Sequence, residues 1–195
     1  MPKKSLALAA AFALAASLAA CETPTPYQPN IPGQATSGGY SQTQIESNRW
    51  RVTFSGNSVT SRDTVEGYLL FRAAELTVQQ GFDWFTIMDR HTDRDARTYV
   101  EPDPLYRPWY GPGFGYWRPS WRYYGAGFGW RSWDPFWGDP FWASSVDIQT
   151  VQKFEASAEI VMGHGAKPAQ DLRAFDARQV IANLQPRIKY PEAKK

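Results

Sequence analysis

The chain reads as an α+β protein of two layers, a mainly antiparallel sheet with two helices on one face, carrying a long insert rich in aromatic residues, Gly and Pro. Three observations predict this. Apolar and polar residues alternate over residues 50–55 and again over 146–162, the period of a strand with one buried face. Val65, Leu69, Ala73 and Leu76, and later Ala177, Val180, Ile181 and Leu184, recur at three- and four-residue spacings, which places each set on one side of a helix. Residues 99–142 have no sustained period at all.

In chain order, Trp50, Val52 and Phe54 alternate with Arg51, Thr53 and Ser55, and Gly56-Asn57 ends this first strand. Thr60 or Ser61 caps a helix that has Asp63 at its positive end and runs through Gln80, with Gly81 at the left-handed C-terminal cap. Residues 82–88 form a second strand. Phe82, Trp84 and Thr86 face one way, Phe85 and Ile87 the other. Over residues 146–162, Val146, Ile148, Phe154, Ala156, Ala158, Ile160 and Met162 share a face, opposite Asp147, Gln149, Lys153, Glu155, Ser157 and Glu159. Seventeen residues is long for one strand, so a bend or break is expected at residues 150–152. Gly163-His164-Gly165 turns the chain, and the last helix starts near Asp176 and stops at Pro186. One domain over residues 49–190, with a frayed tail at 191–195, accounts for the length.

The insert, residues 99–142, holds seven of the 9 tryptophans and ten further aromatics among seven glycines and seven prolines. It reads as a long loop or low-complexity insert, a feature that is functional or disordered when placed inside a compact domain. Three readings are open. The aromatics collapse on one another without a ligand; or they form an interaction surface; or they stack the bases of a single-stranded nucleic acid. Trp109, Tyr110, Trp117, Trp121, Tyr123, Trp130, Trp133 and Trp137 are the candidate contact residues of the second reading, with Arg107, Arg118, Arg122 and Arg131 able to stack on the rings. A partner protein, sugar rings such as those of a cell wall, or lipid headgroups would suit such a surface.

Before the domain, Lys3 and Lys4 precede an uncharged run of Ala, Leu, Phe and Ser over residues 5–20, the pattern of a secretory signal and short for a membrane span of about 20 apolar residues. Leu18-Ala19-Ala20-Cys21 resembles the lipobox at which bacterial lipoprotein precursors are cut, and Cys21 is the chain's one cysteine. Residues 1–20 are therefore expected to be removed and Cys21 to carry the lipid. The alternative is an ordinary signal cut after Ala20, leaving a free thiol. Loss of Lys3 and Lys4 takes the formal charge from +2 to 0, which does not support nucleic-acid binding, since that relies on a concentrated basic surface. Residues 22–48, with Pro24, Pro26, Pro29, Pro32, Gly33, Gly38 and Gly39 among polar residues, read as a flexible tether spanning roughly 30 Å.

No catalytic set is legible, and no cofactor or metal is expected. Asp89, His91, Asp93 and Asp95 alternate as a weak metal site would, but Arg90, Arg94 and Arg97 make a self-neutralising turn the simpler reading. His164 between two glycines is a turn residue. Glu155 and Glu159 are expected as exposed carboxylates without an acid/base role. A cell-wall hydrolase using Asp83 or Asp89 is the alternative from another class, and would need two carboxylates about 5–10 Å apart across a groove. A carrier of a lipid-like molecule would need an apolar cavity between the layers.

Residues 51–58 (RVTFSGNS), 65–76 (VEGYLLFRAAEL) and 156–163 (ASAEIVMG) resemble an uncharacterised family of bacterial envelope lipoproteins, over roughly residues 45–90 and 145–185. The resemblance implies a lipidated cysteine and a secreted domain, and carries no activity. Because Glu22 rather than Asp follows Cys21, it points to the periplasmic face of the outer membrane. The expectation is a non-enzymatic, lipid-anchored envelope protein, held to the membrane by its N-terminal lipid and making any other contact through the insert.

Overall fold

The computed structural model describes residues 22–88, 117, 119–125, 129–133 and 151–192. Among these, seven strands form one mainly antiparallel sheet, and two helices accompany it, the α+β class expected. The strands are β1 (Gly39–Glu46), β2 (Arg49–Ser55), β3 (Trp84–Ile87), β4 (Ser120–Gly125), β5 (Gly129–Trp133), β6 (Val151–Gly163) and β7 (Ala174–Asp176). The helices are α1 (Arg62–Gln79) and α2 (Ala177–Leu184).

β6 is the spine. β2 pairs along one side of it, from Arg49 opposite Val161 to Ser55 opposite Glu155. Two strands share its other side: β3 takes residues 160–163, and β4 takes residues 151–157. β1 lies outside β2, β7 outside β3 and β5 outside β4. β2 and β3 both run antiparallel to β6 and so parallel to one another, with α1 as the crossover between them.

The local signals on described residues have counterparts, although the second strand is Trp84–Ile87 rather than residues 82–88. Ser61 caps α1 by accepting from the Thr64 N–H at 3.2 Å, and Gly81 follows it at φ +83°. Replacing Ser61 by Ala should cost about 1 kcal/mol, read as a lower midpoint in urea with an unchanged slope. Asp176 caps α2 through the Gln179 N–H at 2.9 Å, and Pro186 lies in the short 3-10 turn that ends it. Phe154, Ala156, Ala158, Ile160 and Met162 are buried on the inner face of β6 as their alternation requires. β6 begins at Val151, within the expected break, and residues 146–150 lie outside the described residues.

The core lies between this face and α1. Val52, Phe54, Phe85 and Phe175 come from the sheet, Val65, Leu69, Ala73 and Leu76 from α1, and Val180 and Leu184 from α2. α1 is buried beyond its sheet-facing stripe: Tyr68, Leu70 and Phe71 are covered as well.

The first correction concerns residues 22–48, which are folded rather than a tether. Thr25 and Tyr27 are buried and Gly39–Glu46 is a strand. Tyr27 lies against Tyr40 (centroids 4.9 Å), Phe71 (5.1 Å), Tyr68 (5.7 Å) and Tyr190 (5.7 Å). Its hydroxyl donates to Glu75, and its N–H donates to the Lys189 carbonyl at 2.7 Å, which ties the two ends of the domain together. The glycines that suggested slack permit close approach instead: Gly38 (φ +96°) lies beside the Ser55 carbonyl and Gly39 (φ +134°) beside that of Gln28, with no room for a Cβ at either.

The second correction concerns the insert. Within residues 99–142, β4 and β5 form a hairpin paired to β6, so this part of the insert is strand rather than loop. Period two was hidden there because both faces of the hairpin carry aromatics.

Candidate contact surface

Of the eight candidate contact residues, Trp117, Trp121, Tyr123 and Trp130 have described side chains. Trp133 is described only as a strand residue opposite Trp121. Trp109, Tyr110 and Trp137, together with Cys21, lie outside the described residues.

The hairpin divides its aromatics between two jobs. Trp121 is opposite Ala156 on the inner face and meets Phe154 edge-on at 6.0 Å; it is core. Trp117, just before β4, is core too, edge-on to Phe85 at 6.3 Å and Phe175 at 6.2 Å. Tyr123 is half-buried against the same core. Trp130 is 43 % exposed.

Around Trp130 the outer face is built from three pairings. Tyr124 is its cross-strand partner, with ring centroids 5.6 Å apart. Arg122 lies over the indole at 4.7 Å, the stacking expected of this arginine. Glu155, across from Arg122 on β6, accepts from it at 2.9 Å and from the Ser55 hydroxyl at 2.7 Å. Tyr124 was not among the expected contact residues; a Tyr directly opposite a Trp across a Gly-rich turn is the signal that would have found it.

Further along this face, Glu159 departs from expectation. It is buried, not exposed, its carboxylate gripped by Arg49 from Nε at 2.5 Å and by Arg51 at 3.3 Å. The bond to Glu159, followed by one to Glu46, raises the Arg49 pKa. This cluster neutralises itself and leaves no carboxylate poised for acid/base work.

Of the two hydrolase candidates, Asp83 and Asp89, only Asp83 lies among the described residues. Asp83 accepts from Arg178 at 2.7 Å and from the Gly165 N–H at 2.7 Å, and the Arg178 bond first, then the Gly165 bond, lowers its pKa below the usual carboxylate range. It pins the turn after β6 to the start of β3. Asp89, His91, Asp93 and Asp95 lie outside the described residues. His164 stacks on Phe82 at 4.4 Å, and its carbonyl accepts from Trp84, in keeping with a turn residue. Among the described residues no three His, Cys, Asp or Glu side chains gather as metal ligands, and no helix is long and apolar enough to cross a membrane.

No family model, curated protein or solved structure matches the chain.

Proposed function

We propose that the protein is a lipid-anchored envelope protein with a structural or interaction role, attached through acylated Cys21 to the periplasmic face of the outer membrane. One observation carries the interaction half of this reading. The β4–β5 hairpin spends Trp121 on the core, as the chain before it spends Trp117, while setting Trp130, Tyr124 and Arg122 on the outer face, an aromatic and cationic group of the kind that binds partners. The anchor half rests on the lipobox, Leu18 to Cys21. Two or three acyl chains, each methylene stabilising insertion by about 0.8 kcal/mol, hold firmly where a single chain is marginal.

Metabolic labelling with a palmitate analogue tests the anchor. The full chain should label and fractionate with membranes, and Cys21→Ser should do neither; equal labelling of the two would overturn it. For the contact surface, Trp130→Ser should keep the fold and lose crosslinks to envelope proteins, cell-wall glycan or phospholipid, whereas an unchanged pattern with all three would remove the role assigned to the hairpin.

A further inference from the structure

We infer that the outer end of the β4–β5 hairpin rests in the phospholipid headgroups of the same bilayer that holds the Cys21 lipid, so that the domain sits on the membrane in one orientation. This rests on the anchor proposed above. It follows from where the folded chain begins.

Glu22 bonds to the Ser58 hydroxyl, and the Thr23 carbonyl accepts from the Asn57 amide at 2.6 Å. The Thr25 N–H donates to the Thr60 hydroxyl at 2.8 Å, and the Asn57 N–H donates to the Thr25 hydroxyl at 2.9 Å. The chain is thus secured to the β2–α1 loop from its first described residue, and one peptide, about 3.8 Å between Cα atoms, separates that residue from Cys21. No slack remains to lift the domain off the surface. The end of the sheet carrying residues 56–60 must therefore face the lipid.

The strand directions bring the hairpin to this same end. β2 finishes there at Ser55, opposite Glu155 of β6. β4 runs in the same sense as β2 and continues further, to Gly125 opposite Val151. Four residues of β6 separate those two levels, so the hairpin projects about 13 Å past the end of β2. The side chains placed there suit headgroups: Tyr124 and the exposed Trp130, rings with apolar bodies and polar tips, and the exposed Arg131 and Lys153, attracted to phosphate. Val59, 47 % exposed, stands in the loop that holds Glu22 and Thr23. The opposite end of the sheet carries Glu46 and Arg49, paired with each other at 3.1 Å, and Ile45 beside them.

The experiment uses the full lipidated chain, in which acylated Cys21 offers no thiol, so that an introduced cysteine is the single labelling site. An environment-sensitive fluorophore is attached at Arg131→Cys or at Ile45→Cys, at opposite ends of the sheet, and each protein is reconstituted into vesicles of phosphatidylethanolamine and phosphatidylglycerol. The label at 131 should be blue-shifted on vesicles and quenched by iodide several-fold less than the label at 45. Circular dichroism confirms that each labelled chain is folded. Equal quenching at the two sites in protein that carries the palmitate label and floats with the vesicles overturns the orientation while leaving the anchor standing. Protein that neither labels nor floats overturns the anchor and the orientation together.

Discussion

Replacing Tyr27 by Ala should lower the melting temperature by roughly 10 °C, the result of losing about 3–5 kcal/mol in a domain of this size. Tyr27 is 4 % exposed and touches four aromatic rings drawn from β1, α1 and the C-terminal segment. Its removal opens a cavity and takes away the ring contacts to Tyr40, Tyr68, Phe71 and Tyr190, leaving the backbone bond to Lys189 between the two ends. The same substitution in a free tether would leave the melting temperature within about 1 °C, as surface substitutions do. Tyr27→Phe separates the ring from the hydroxyl: it keeps the packing and loses the bond to Glu75, which still accepts from Arg72 at 3.2 Å. A loss of about 1 kcal/mol is expected at neutral pH.

The same residue should also make stability depend on alkaline pH. Burial first, and then the bond to Glu75 with its negative charge, push the Tyr27 phenol far above its ordinary range. Burial raises Tyr68 and Tyr190 too, Tyr68 against the opposing bond from the Lys189 N–H. A phenol with a raised folded pKa contributes its stability fully below its unfolded value, about 10, and loses it as pH climbs from there toward the folded value. Urea midpoints should therefore hold steady through neutral pH and fall above about pH 10, more shallowly in Tyr27→Phe.

What the sequence announced and what it concealed follow from the reach of each signal. Alternation in 50–55 and 154–162, a cap at Thr60 or Ser61, a helix start near Asp176 and the turn at Gly81 are local, each decided within a turn or a strand, and were legible. β7 was not, since three residues that pair only with β3 carry no period. The folding of residues 22–48 is a matter of long-range partners: Tyr27 finds Lys189, and Gln42 finds Arg72. One clue did exist. Tyr68, Leu70 and Phe71 lie outside the Val65–Leu69–Ala73–Leu76 stripe, and a helix apolar on several sides needs cover on several sides. Composition singled out residues 99–142 but could not divide the buried Trp121 from the exposed Trp130, because that division depends on which face of β4 meets β6. The burial of Glu159 was hidden for a similar reason: Arg49 and Arg51 flank it only once β2 is in register with β6.

Trp117→Ala should be among the most damaging substitutions in the chain, costing about 3–5 kcal/mol of a total near 5–15. β3 and β4 both pair along the same side of β6, and Trp117, which precedes β4, packs against Phe85 of β3 and Phe175 of β7. Those two rings stack on each other at 5.4 Å, so the indole completes a three-ring contact that joins the β4–β5 hairpin to the rest of the sheet. Trp117→Phe should behave quite differently. The indole N–H is buried without a hydrogen-bond partner among the described residues, a penalty of about 1–3 kcal/mol that Phe removes while keeping most of the apolar area. Near-neutral stability is the expected result, measured by urea unfolding of both variants beside the parent chain; losses of equal size in the two would mean that the N–H has a partner after all. The pair also disciplines any search for binding partners. A crosslink lost in Trp117→Ala reports a hairpin detached from its sheet, whereas one lost in Trp130→Ser, whose exposed ring leaves the core untouched, reports the contact itself.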